Sequence, residues 1–240
     1  MKLVIDISKY QWNLTDAMWD IFGQILDGVI IRITYGRTID SKVQDHIDQC
    51  ERVGLPYIAY SWVDPTSDFQ GQLNTIISAK QKFNMGAVML DMEQYWTDWA
   101  AYSSGNYTEA YRTRFTPAQL ESYYKKFFVA AKQYVGVEIG CYSSNSFMKD
   151  YCPAMFDWVP FNNYWRAGYP INENHYEPEE VRELADTIDL SGCIGRQFSD
   201  GLDITGLPAK LDWNAFSEEG FRVLFGDKVM GTNIEMQFVS

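Results

Sequence analysis

Four short apolar runs recur at nearly even intervals: KLVID at 2–6, GVIIRIT at 28–34, PYIAYSW at 56–62 and GAVMLDME at 86–93. Their starts step by 26, 28 and 30 residues, the length of one strand plus one crossover helix. Helix patterns fill the gaps. Val43, Ile47 and Cys50 follow a helical spacing that stops at Gly54, and Phe69, Leu73, Ile76 and Ile77 form a second stripe. Thr116, Pro117 and Gln119 spell a capping box with proline at the first helical position, and Leu120, Tyr124, Phe127, Phe128, Ala131 and Val135 mark the buried face that follows.

Further strands are expected at VEIGCYS (137–143), DWVPF (157–161) and CIGRQF (193–198), with a short helix after Pro178. Near-continuous apolar strands alternating with helices require a parallel sheet covered on both faces. The predicted fold is α/β, a flattened TIM-like β/α barrel with mostly parallel strands. One domain covers residues 1–216. The tail, residues 217–240, has Gly226-Asp227 between two apolar stretches, the pattern of a hairpin packed on the barrel.

Composition narrows the function. A net charge of −12 and a pI near 4.6 leave no clustered cations for a phosphate backbone, which argues against nucleic acid. No apolar run reaches the length of a membrane span, and the start MKLVIDISKYQ lacks the apolar core of a secretory signal. Synthesis in the cytoplasm without a signal peptide is the expectation. Cys50, Cys141, Cys152 and Cys193 form no ligand spacing with His46 and His175, so buried thiols are expected in place of a metal site, and no cofactor is called for.

In α/β barrels ligands bind at the C-terminal ends of the strands. Asp6 ends the first run, Tyr60 and Trp62 the third, Asp91 and Glu93 the fourth, Tyr142 the fifth and Gln197 a late one. Residues i and i+2 of a strand face the same side, so Asp91 and Glu93 start roughly 6 to 7 Å apart at the barrel mouth. Two acids that close in a half-buried site cannot both ionise freely, so one keeps a proton near neutral pH, as general acid catalysis of glycoside cleavage requires. The alternative role for the pair is structural, accepting hydrogen bonds or pairing with Arg32 across the barrel. The loop at 95–115 follows directly and carries seven aromatics among Ser, Gly, Asn and Thr, a composition that suits a carbohydrate-stacking rim or a partner-docking patch.

Several segments together resemble the lysozymes of glycoside hydrolase family 25, the Chalaropsis-type muramidases. They are IDISKYQ (5–11), VIIRITYGRTID (29–40), GLPYIAYSW (54–62), VMLDMEQ (88–94), IGCYSS (139–144), RQFSD (196–200) and LDWN (211–214), in family order across nearly the whole chain. The resemblance implies hydrolysis of the bond between N-acetylmuramic acid and N-acetylglucosamine in peptidoglycan glycan strands, as in a phage lysin that reaches the wall after release. It also implies that Glu93 is the general acid/base, with Asp91, Asp6 and Asp212 as the remaining catalytic acids. Tyr35, Tyr60, Trp62 and Tyr95 are candidate substrate contacts, as are Trp96, Tyr142, Tyr164 and Gln197.

Three features depart from the family pattern. Tyr60-Ser61-Trp62 stands where a Tyr-His-aromatic triplet is common, and the Trp-x-Ala-x-Tyr segment of the sixth strand is matched in part both at Trp158 and at Trp165. The 95–115 loop is also long for the family. Two competing readings are a chitinase-like or endo-N-acetylglucosaminidase barrel and a non-catalytic glycan-binding phage protein.

Overall fold

In the computed structural model, which describes residues 1–11, 13–160, 163–171, 175–208 and 210–226, the apolar runs form the staves of a closed barrel. Its eight strands are β1 (Lys2–Ile7), β2 (Gly28–Tyr35), β3 (Tyr57–Trp62), β4 (Ala87–Asp91), β5 (Glu138–Ser144), β6 (Tyr164–Ala167), β7 (Gly195–Ser199) and β8 (Asp212–Phe216). Neighbours from β1 to β7 pair parallel. The last strand, β8, runs antiparallel between β7 and β1 and closes the ring.

The helices are α1 (Asp16–Ile25), α2 (Val43–Val53), α3 (Phe69–Lys82), α4 (Trp99–Ser103), α5 (Tyr107–Ala110), α6 (Pro117–Tyr134), α7 (Asn145–Tyr151), α8 (Pro178–Asp186) and α9 (Glu218–Phe225). Their ends follow local rules. The α6 capping box forms as expected from Thr116 and Gln119, and α2 stops at Gly54 with φ +77°, a left-handed cap that glycine adopts without a Cβ penalty. Among the described residues no helix is long and apolar enough to cross a membrane.

Strand alternation sorts the buried side chains into two sets. Ile5, Ile31, Val88, Leu90, Cys141, Tyr164 and Trp213 face outward into the layer beneath the helices. Val4, Ile30, Ile58, Met89, Trp165 and Phe216 fill the barrel interior, and Leu224 and Phe225 of α9 join them. Two glycines make room inside: a Cβ on Gly195 would overlap the Phe216 ring, and one on Gly140 would overlap the Met89 thioether. The lower barrel is therefore a packed plug, and polar groups can gather only at the opposite mouth. All four cysteines are buried.

Three expectations need correction. The segment DWVPF is not a strand: Met155–Asp157 is a 3-10 turn and the sixth strand begins at Tyr164. Pro160 cannot donate to a ladder, which disfavours a central strand there; Phe161 lies outside the described residues. The stretch before Gly226 is helix α9, with Leu224 and Phe225 buried on one face, so it does not supply the first strand of a hairpin. Residues 227–240 lie outside the described set. Arg32 pairs with Asp40 at 2.8 Å instead of with the acid pair.

Candidate active site

The strand β4 ends at Asp91, and Glu93 lies two residues further on. The extension stays bound on both sides: Val63 N–H donates to Asp91 O at 2.9 Å, Met92 N–H to Tyr142 O at 3.0 Å, and Ser143 Oγ to Met92 O at 2.8 Å. Met92 packs outward into the core, so Asp91 and Glu93 both face the mouth. Gln94 then locks the turn, exchanging backbone hydrogen bonds with Tyr124 Oη while its amide accepts from Trp62 Nε1 at 3.0 Å and donates to Asp64 Oδ1 at 2.9 Å.

A cleft of about 220 Å³ collects Asp6, Asp91, Glu93 and Asp212 with Tyr60, Trp62, Tyr142 and Gln197. All eight were candidates from sequence. Asp6 and Asp212 come from opposite ends of the chain and are direct partners in the antiparallel β1–β8 ladder. Asp6 Oδ2 accepts from Gln197 Nε2 at 2.8 Å and from Asn214 Nδ2 at 2.9 Å. Gln197 Oε1 in turn accepts from the Tyr142 and Tyr169 hydroxyls at 2.6 and 2.7 Å, and Asn214 Oδ1 from Trp165 Nε1 at 2.9 Å. Every donor to Asp6 is neutral, so its charge is held without being cancelled.

That uncancelled charge governs its neighbours. Burial pushes the Asp6 carboxyl up to about 6, against the two amide hydrogen bonds that favour its ionised form. Burial first and the Asp6 charge second push Glu93 up to about 7. Asp212 rises to about 9 through burial, then Asp6, Asp200 and Glu93. Asp91 is raised well above the usual carboxylate range by burial, then by Glu93 and Asp6, with Arg32 opposing. Near neutral pH the mouth thus holds one fixed anion, a group at its midpoint and two retained protons.

The remaining candidates sit elsewhere. Tyr164 is buried on the outward face of β6, where its hydroxyl donates to Ser143 O at 3.0 Å; the neighbouring Trp165 is the residue that faces the cleft. Trp96 is buried and stacks on Tyr102 at 4.2 Å, and Tyr95 stacks on Tyr151 at 4.6 Å. The 95–115 segment is thus largely packed ring on ring across α4 and α5, with Trp99 and Tyr107 exposed. Tyr35 bridges this cluster to the cleft wall, stacked on Trp62 at 5.5 Å and tilted against Trp99 at 5.1 Å.

Sequence reasoning did not single out Ser8, Tyr10, Gln11, Trp165 and Tyr169, which line the cleft, or Asn214 behind it. Trp165 and Tyr169 carried a signal as one of the two matches to the sixth-strand pattern, and Ser8, Tyr10, Gln11 and Asn214 only as members of the resembling segments at 5–11 and 211–214. Among the described residues no cluster of His, Cys, Asp and Glu has the geometry of a metal site.

A barrel with an acid mouth is compatible with several hydrolase families, and comparison with known proteins decides among them. The model of glycosyl hydrolases family 25 matches residues 5–207. The chain belongs to that family. As a family 25 glycoside hydrolase it carries the match from within β1 through β7. No curated protein sequence matches it at a significant level.

Solved structures share the family 25 fold at low identity. The catalytic domain of endolysin ply40 from bacteriophage P40 of Listeria monocytogenes is similar with a TM-score of 0.68 and 21% identity, over 94% of this chain and 98% of that one. The bacterial lysozyme from Streptomyces coelicolor is similar at a TM-score of 0.64 and 17% identity, over 94% and 96%. The modular autolysin LytC from Streptococcus pneumoniae, solved with a synthetic peptidoglycan ligand, is similar at 0.64 and 20%, over 89% of this chain and 46% of that one.

Proposed function

We propose that this family 25 hydrolase is a peptidoglycan muramidase that cleaves the β-1,4 bond between N-acetylmuramic acid and N-acetylglucosamine, with Glu93 as general acid/base. The observation that carries the reading is Glu93 itself. It is a carboxyl pushed up to about 7, half-buried in a cleft walled by other acids and by Tyr60, Trp62 and Trp165. Such a group is protonated often enough at neutral pH to hand a proton to the glycosidic oxygen, and is then basic enough to take one from water.

Asp91 acts on the sugar's acetamido group. Its Oδ1 is buried with no hydrogen-bond partner among the described residues, an acceptor that a substrate N–H would satisfy. The Asp6 anion lies where positive charge grows on the sugar ring, and Asp212 opposite it orients the ring's hydroxyls. Tyr60, Trp62 and Tyr142 supply flat faces for the glycan, and Gln197 holds Asp6 and two tyrosines in register.

Residues 1–216 act as the catalytic barrel with 217–240 as its tail, and the enzyme meets its substrate at the bacterial wall after release. The listerial phage enzyme it resembles is likewise an endolysin. Glu93→Gln should lower the rate of peptidoglycan cleavage by at least about a thousandfold and leave the circular dichroism spectrum unchanged; retained activity overturns the assignment. Mass spectra of wild-type digests should show new muramic acid reducing ends, whereas glucosamine ends indicate the chitinase-like alternative.

A further inference from the structure

The acid cleft opens on one side into a larger recess of about 570 Å³, and the two share Glu93 and Tyr169 as walls. The far wall carries Arg166 of β6 and Arg196 of β7, direct partners in the parallel ladder. Two like charges side by side repel. Burial and the adjacent Arg166 accordingly push the Arg196 guanidinium below its usual value.

The pair makes no direct ion pair among the described residues, and the Asp189 carboxylate offsets it only from beyond contact distance. Neither arginine has a carboxylate within 4.0 Å among the described residues. They donate instead to neutral carbonyls, Arg166 to Ser191 O and Asp189 O at 3.0 and 2.9 Å and Arg196 to Gly168 O at 3.0 Å. Arg166 Nε is buried without a partner. Two acids line the recess: Glu93, on the wall shared with the acid cleft, and Asp189, which is engaged by Ser191, whose N–H and hydroxyl donate to it at 2.9 and 2.6 Å. A chain with a net charge of −12 thus keeps two cations without a direct carboxylate partner in one recess that reaches its proposed general acid.

We propose that this recess binds a carboxylate of the peptide stem carried by the muramyl residue, with Arg166 and Arg196 as its charge partners. The proposal rests on the muramidase reading. The stem branches from the sugar adjoining the cleaved bond, so its first residues fall beside Glu93, where the recess begins. Guanidinium forks match carboxylate geometry, and the hydroxyls and amide of Ser144, Asn145 and Ser146 on the same wall suit the stem's peptide groups. The arginine pair then selects stem-bearing strands over bare glycan.

The test compares kcat/KM on three glycan preparations: strands with intact stems, strands stripped of stems by an amidase and then amidated at the lactyl carboxyl this frees, and strands whose stem carboxylates have been amidated. Wild-type enzyme should cut the first about tenfold better than the other two, the effect of one charge-assisted contact. In Arg166→Gln/Arg196→Gln that ratio should fall to about one, and in Arg166→Lys/Arg196→Lys much of it should return. A wild-type ratio near one overturns the proposal whether or not the variants fold, as does a glutamine variant whose ratio is unchanged. A preference that follows wall phosphodiesters on stem-free strands also overturns it, since the recess then takes phosphate. Absence of muramic ends from every preparation refutes the muramidase reading, and the proposal with it; muramic ends without stem preference refute the proposal alone.

Discussion

In the proposed mechanism Asp6 acts through Glu93 and need not touch the scissile bond. Gln197 and Asn214 hold it as an anion above about pH 6, and its charge helps to keep a proton on Glu93 up to about pH 7. The proposed mechanism needs Asp6 ionised and Glu93 protonated, so kcat/KM should trace a bell with limbs near 6 and 7. Asp6→Asn removes one negative charge beside Glu93, which makes its proton easier to lose. The alkaline limb should therefore move to lower pH, by about half a unit, as read from initial rates across pH 4–9. A limb that stays in place would show that Asp6 does not tune Glu93.

Each stave of the barrel carries its chemistry at one end and its packing at the other. On β7, Gln197 reaches Asp6 while Gly195, two residues earlier on the same face, lies beneath the Phe216 ring. Gly195→Ala should cost about 2 kcal/mol by overpacking, measured by urea unfolding, and a cost near zero would mean that Phe216 moves aside freely. The strands buried on both sides were legible as apolar runs because nothing in them alternates. The sixth was not, since DWVPF is as apolar as the real strand and only a two-way pattern match marked Trp165. Tyr164 shows the penalty for such an ambiguity: one residue of register moves a side chain from the mouth to the outer layer. The 95–115 loop is only partly legible, for another reason. Its polar spacers suggested exposure, yet Trp96 and Tyr95 find stacking partners, among them Tyr151 of α7, that no local pattern reveals. Asp212 has no apolar run before it, and only the family pattern pointed to it.

At the scale of the molecule, the mouth works against the fold. Folded-state carboxyls raised to about 6, 7 and 9 at Asp6, Glu93 and Asp212 bind protons that the unfolded chain releases near pH 4. Their contribution to stability is complete below that value and is lost as pH rises through the folded values. Thermal melts should accordingly shift down between pH 5 and 9. Asp212→Asn, whose carboxylate accepts no hydrogen bond among the described residues, should raise Tm at pH 8 by about 3 °C, the shift expected for 1 kcal/mol in a chain of this size. An unchanged Tm would mean that Asp212 is already ionised in the fold.

The antiparallel β8, wedged between the first and seventh strands, also sets a schedule. It brings Asp212 and Asn214 to the mouth and is the last stave to close the ring, so the ligands of Asp6 are incomplete until residues near 216 have been synthesised. Contacts between residues this far apart in sequence form late in folding. A nascent chain on the ribosome, with β1 to β7 already made, therefore holds Asp6 and Glu93 but no assembled cutting centre, and its lytic chemistry switches on only with the finished ring.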